Sequence, residues 1–232
     1  MTDKEQAPDK PTPLILTPTG VEATTELSDP RVILEKHGPD RTPLGTDVYY
    51  QGDRAASSEL TEDGRLASTA SSKASPGTGN EGWVVDTLKE RLSRDLGPTS
   101  LVAGAEDSAG EDRLLRLPND RVIVVQVITA RTNPGHWREA KAQGTATRAS
   151  APEEIAHELR DAITRKVGKS TPVDRASMIL ALDAQFSPEA AYEAVIRAYL
   201  LAYGSPESEL GFFQVWVVAP TVEACSRLHD AT

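Results

Sequence analysis

From Trp83 onward the apolar positions fall into clear periods, and the periods predict elements. Val85, Leu88, Leu92 and Leu96 recur at helical spacing, and Gly97-Pro98 ends the run, which predicts a first helix. Leu101-Val102-Ala103 reads as a short strand. Two further strands, Glu111 to Leu117 and Arg121 to Thr129, flank a Pro118-Asn119-Asp120 turn. The second is nearly continuous in Val and Ile, as in a strand covered on both faces. Asn133-Pro134-Gly135 opens a short helix through Trp137, Arg138 and Lys141 that stops at Gly144. Ser150-Ala151-Pro152-Glu153 has the form of a capping box, with Ile155, Leu159, Ile163 and Val167 on one helical face behind it. Met178 to Ala184 is a buried strand. Ser187-Pro188 begins a long helix with Tyr192, Val195, Ile196, Tyr199 and Tyr203 inward, closed by Gly204. Gly211 to Ala219, with Phe212, Phe213 and Trp216, is another buried strand, and Thr221 caps a last helix.

The first three strands can form an antiparallel meander, whereas the last two follow helices and should enter parallel. The expected fold class is therefore α/β, a mixed central β-sheet flanked by helices, in a single domain over residues 81–232.

The first 80 residues show no such order. They are rich in Pro, Ser, Thr, Gly and Asp, and their apolar residues stand in islands: Leu14-Ile15-Leu16, Val32-Ile33-Leu34 and Val48-Tyr49-Tyr50. Every Trp and Phe lies after residue 80. Composition of this kind offers little surface to bury against the cost of ordering the chain. Residues 1–80 therefore read as a disordered acidic arm, with 66–80 as a flexible linker. The islands are either residual hydrophobicity or segments that order on an unknown protein partner.

Charge narrows the partners. The net charge is −10, with 8 Lys and Arg against 13 Asp and Glu before residue 81 and 17 against 22 after it. Such a chain repels phosphate backbone over most of its surface, so nucleic acid is possible only at a local basic patch. Arg160, Arg165, Lys166, Lys169 and Arg175 form the most basic run. The single cysteine, Cys225, excludes an internal disulfide and a multi-cysteine zinc site. His136, His157 and His229 lack ligand spacing. There is no Gly-rich phosphate loop, nucleophile elbow or membrane-length apolar run, and the first residues lack signal-peptide character, so a cytoplasmic location without membrane contact is expected.

One stretch carries candidate chemistry. Glu111-Asp112 begins the strand before the Pro118 turn, and Gln126-Val127-Ile128 lies in the strand after it. That layout resembles the metal-binding hairpin of the restriction-endonuclease-like (PD-(D/E)xK) superfamily, closest to its Mrr-like branch, in which an Asp is followed about one hairpin later by Gln-x-Lys. The resemblance covers roughly residues 81–220 and implies a restriction-endonuclease-like core. It implies Asp112, Gln126 and the Val127 main-chain carbonyl as ligands of Mg²⁺, a hard cation that prefers oxygen. The family's lysine falls on Ile128, which can neither activate water nor stabilise developing charge. Losing such a group costs on the order of 10²–10⁴ in rate. Two readings follow: a catalytically degenerate domain serving as a binding or assembly module with no cofactor, or a metal-dependent DNA nuclease whose cation has moved, with Lys141 first and Arg138 and Arg131 behind it. Glu90 lies off the apolar stripe of its helix, and Asp183 sits at a strand end where open sheets often place functional groups.

Overall fold

The computed structural model describes residues 21–24, 30–71, 81–102, 113–130 and 134–229. In chain order these form β1 (Val21–Thr24), β2 (Arg31–His37), β3 (Pro43–Tyr50), β4 (Asp53–Leu60), β5 (Leu66–Ser71), α1 (Glu81–Leu96), β6 (Ser100–Leu101), β7 (Arg113–Arg116), β8 (Val122–Thr129), α2 (Pro134–Gln143), β9 (Thr145–Ser150) and α3 (Pro152–Val167). There follow α4 (Pro172–Ala176), β10 (Met178–Asp183), a 3₁₀ turn (Pro188–Ala191), α5 (Glu193–Tyr203), α6 (Pro206–Leu210), β11 (Gln214–Val218) and β12 (Ser226–Arg227).

The mixed sheet expected from the C-terminal pattern is present. Its strands run β12-β11-β10-β8-β7-β6. β6, β7 and β8 form the antiparallel meander, and β10 and β11 add in parallel. The β7–β8 turn closes as its sequence requires: Asp120 takes φ 60°, Leu117 N–H donates to Arg121 O at 2.9 Å, and Asn119 Oδ1 accepts from Arg121 N–H. One face buries Ile123, Val125, Ile179 and Trp216 under Val85, Leu88 and Leu92 of α1. The other buries Leu180, Leu182, Val215 and Val217 under α3 and α5 through Ile155, Leu159, Val195 and Tyr199. Continuous Val and Ile strands are what a sheet covered on both faces needs.

Helix ends differ from expectation in four places. Leu96 is 48% exposed, because Gly97 turns the chain (φ 101°) before that residue can reach the sheet. The cap of α3 is Ala151 rather than Ser150; Pro152 occupies the first turn and Glu154 reaches back to the Ala151 N–H at 2.8 Å. The helix expected from Ser187 breaks at Tyr192 into the 3₁₀ turn and α5. Thr221 caps a turn instead of a helix, and the chain continues as β12.

The largest correction lies before residue 80. Residues 30–71 are not an arm: β2 to β5 form an antiparallel meander, and β9 completes the sheet in the order β1-β2-β3-β4-β5-β9. Nor does a boundary at residue 80 hold, because β5 pairs with β9 from Leu66–Ser150 to Ser71–Thr145. The segment Leu66–Ser71, read as linker, is a strand interior to this sheet. The islands at 32–34 and 48–50 pair with each other rather than waiting for a partner. Residues 1–20, including Leu14 to Leu16, lie outside the described residues, as do 72–80.

Physical reasons for this sheet are visible once it is formed. Gln51 (φ 53°) and Gly52 (φ 90°) make a two-residue hairpin turn whose positive φ at both positions matches the right-handed twist of the strands on either side. At Gly45 a Cβ would stand 2.4 Å from the Ser58 carbonyl oxygen, so β3 and β4 approach too closely for any side chain there. The inward face buries mostly small residues, among them Ala56, Ser58, Ser68, Ala70 and Ala146. Leu66 alone of β5's large side chains enters the core shared by α3, α5 and the mixed sheet.

A clamp joins the two sheets. Buried Arg31 of β2 donates to Gln185 Oε1 just past β10, and its guanidinium stacks 4.4 Å above the Trp83 ring of α1. Gln185, fully buried, donates in turn to Ala219 O after β11 at 2.6 Å. Tyr50 packs edge-on against Trp83 and Phe186, which tilt against each other, with centroids 5.8–6.4 Å apart.

Candidate functional site

The hairpin residues come first. Asp112 and Arg131 lie outside the described residues. Gln126 is half-buried on β8, paired in register with Leu180, and Ile128 pairs with Leu182. Alternate residues share a face, so Gln126 and Ile128 point the same way, toward α3 and α5, while Val127 packs on the α1 side. Ile128 is packed against the aliphatic core there. The cations proposed to replace the lysine stand elsewhere: Arg138 and Lys141 are exposed on α2, a helix that packs on β5 and β9. Among the described residues no group of three His, Cys, Asp or Glu side chains lies close enough to hold a metal ion.

The secondary candidates resolve into structural roles. Asp183 Oδ1 accepts from the Gln185 N–H at 3.0 Å and shapes the turn after β10. Arg160 makes a two-pronged pair with Glu209 at 3.0 Å, and Arg175 donates to the carbonyls of Leu210 and Ser170 at 2.7 Å. These bonds engage two of the five cations of the basic run, while Arg165 and Lys169 stand exposed. Glu90 pairs with Arg94 one turn away on the exposed side of α1. His157 Nδ1 meets the Tyr203 hydroxyl at 2.8 Å. His136 is buried on α2, and its pKa is lowered by desolvation and by the Arg148 charge. Cys225 is buried, donates to Thr221 O, and its thiol is pushed up to about 12 by desolvation, which makes it an inert thiol.

A second constellation has no counterpart in the sequence reading. Cross-strand partners place one polar residue per strand in a row over the inward face: Glu35, Thr46, Ser58, Ser68 and Arg148, on β2, β3, β4, β5 and β9. The 3₁₀ turn lies over this row. At one end Arg148 makes a two-pronged pair with Glu158 at 3.1 and 3.2 Å and faces buried Glu189 at 3.6 Å. In the middle the Tyr192 hydroxyl stands beside Ser58 and Thr46. Burial pushes that phenol up to about 12, and the two neighbouring hydroxyls lower it only in part. No bond of good geometry forms there: the Ser58, Ser68 and Tyr192 hydroxyls and Arg148 Nε are buried without a hydrogen-bond partner. Buried polar atoms are normally satisfied, so four orphans along one row mark it as unusual.

At its other end the row opens into a cleft of about 610 Å³ between the two sheets. Glu35 forms its polar anchor. Thr221 Oγ1 donates to Glu35 Oε1 at 2.8 Å, while Glu35 Oε2 lies 3.8 Å from His37 Nε2, beyond hydrogen-bond length. Pro43, Leu60, Pro188, Ala191 and Pro220 supply apolar wall, and Thr46 and Tyr192 lie at the inner end. Residues 188–197 and 220–226, which line the far side, follow the carboxyl ends of parallel β10 and β11, where open α/β sheets commonly place ligands. Comparison with family models, with curated proteins and with solved structures finds no match for this chain.

Proposed function

We propose that the chain is a binding module built on a catalytically degenerate restriction-endonuclease-like core. The observation that carries this reading is the setting of Ile128, which stands where the family's lysine would and packs into the aliphatic core on the same face as Gln126. A cation at that place would have to leave water for an apolar wall, a costly transfer without a partner. The order α1, β6-β7-β8 meander, then parallel β10 supports the kinship. The net charge of −10 disfavours duplex DNA as the bound partner.

The test is a Mg²⁺ and Mn²⁺ titration followed by thermal shift, with plasmid cleavage assayed in parallel. The reading expects neither a metal-dependent rise in Tm nor cleavage. Robust cleavage abolished by Asp112→Ala would overturn it in favour of a metal-dependent nuclease with Lys141 or Arg138 as the relocated cation.

A further inference from the structure

We propose that the cleft between the two sheets binds a small primary ammonium compound with a compact apolar body, its charge held by Glu35. None of the described hairpin residues lines this cleft, so the inference stands apart from the nuclease-like reading.

Size is the first argument. A cleft of about 610 Å³ falls within the range of small-molecule sites. Charge is the second. Of the acidic side chains on the lining, Glu193 pairs with Arg197 on the exposed rim, and Glu223 turns outward to Arg94. Among the described lining residues Glu35 is left as the inner carboxylate, with 23% of its side chain exposed. Thr221 fixes its Oε1 and leaves Oε2 directed toward His37 across 3.8 Å. An ammonium seated at Oε2 would donate to it, and an ammonium N–H bonded to a carboxylate is among the stronger hydrogen bonds. An anion would meet Glu35, and Arg197, the guanidinium on the described lining, is already paired with Glu193.

The third argument is independent of charge. At the inner end of the cleft Thr46 lines the wall, with its hydroxyl beside that of Tyr192. It offers a second polar contact at the deep end, which selects ligands carrying a hydroxyl there over purely aliphatic ones. The preferred class is thus a short amino alcohol, with simple alkylammonium ions as weaker members.

The test uses the full chain and three probes of matched shape: n-butylammonium, n-butanol and n-butyrate, with 4-aminobutanol as the two-ended ligand. Binding is followed by amide chemical shifts in two-dimensional NMR. Butylammonium is expected to give saturable shifts at Glu35, Thr46 and Thr221 with Kd on the order of millimolar, as suits so few atoms. 4-Aminobutanol should bind several-fold tighter, and butanol and butyrate should give none. Glu35→Gln should weaken butylammonium at least tenfold, whereas Glu193→Gln on the rim should change it less than twofold. Saturable binding of butyrate or butanol at the same amides, or unchanged binding in a folded E35Q variant, would overturn the proposal. So would the absence of saturable shifts with either amine, a comparison that needs no variant.

Discussion

The two sheets of this molecule are stabilised by different chemistry. The mixed sheet is built from Val, Ile and Leu and is covered on both faces by helices; Ile123, Val125, Ile179, Leu180, Leu182, Val215 and Val217 are fully buried. The antiparallel sheet buries Ala and Ser instead and leaves Thr69 and Thr147 on its outer face, where their hydroxyls meet at 3.1 Å. Apolar area stabilises the first sheet at roughly 25 cal/mol per Å² buried. The second depends on its backbone ladder, on a few large side chains such as Leu66 and Val48, and on the Arg31 clamp. A sheet can thus be integral to a fold without hydrophobic strands, provided another layer covers it.

That contrast can be broken or sharpened by substitution. The largest effect is expected for Trp216→Ala in the mixed sheet. Trp216 is 3% exposed and contacts the α1 core, so its loss should cost about 3–5 kcal/mol in denaturant unfolding. A shift no larger than that of a surface change would remove β11 from the core. Next comes Leu66→Ala, which tests whether the antiparallel sheet shares that core. The expected cost is about 2–5 kcal/mol, in the same cooperative transition. A loss near zero would return residues 66–71 to the status of a linker.

His136 gives a smaller, pH-dependent effect. Its pKa is lowered in the folded state from the ordinary 6.5 by desolvation first and the Arg148 charge second. The unfolded chain therefore takes up the proton more readily. The contribution is fully present above about pH 6.5 and is lost as pH falls through that value toward the folded pKa. His136→Asn should flatten the stability profile below pH 6.5 relative to wild type; an unchanged slope would show that another group governs it. The smallest effect is expected for Ser68→Ala. Ser68 is 4% exposed and its hydroxyl is unpartnered, so removing it should leave stability within about 1 kcal/mol of wild type, on the stabilising side. A loss of several kcal/mol would mean that the hydroxyl is bonded.

The same contrast explains what could be read from the sequence. Val122 to Thr129, Met178 to Asp183 and Gln214 to Val218 announce themselves because a doubly covered strand must be apolar throughout. Their order also fixes which strands enter parallel. β4 and β9 do not, because Asp53-Arg54-Ala55-Ala56-Ser57-Ser58 and Thr145-Ala146-Thr147-Arg148 carry little hydrophobic signal. The Gln51-Gly52 pair between two runs of alternating burial was the available clue, a two-residue hairpin signal in a polar setting. The cleft was illegible for another reason. Glu35 and His37 of β2 meet Thr221, 186 residues away from Glu35, and Tyr192, and no spacing rule joins such positions. At the hairpin, the shared face of Gln126 and Ile128 did follow from alternation.

Amide hydrogen exchange along the β5–β9 ladder tests the two-sheet account most directly. If residues 30–71 are built into the same folded unit as the mixed sheet, the ladder amides of Leu66–Ser71 and Thr145–Ser150 should be protected together, with opening free energies approaching those of Met178–Asp183 in β10. Exchange of residues 30–71 at the rate of an unstructured chain, while β8, β10 and β11 stay protected, would contradict the account and dissolve the cleft with it.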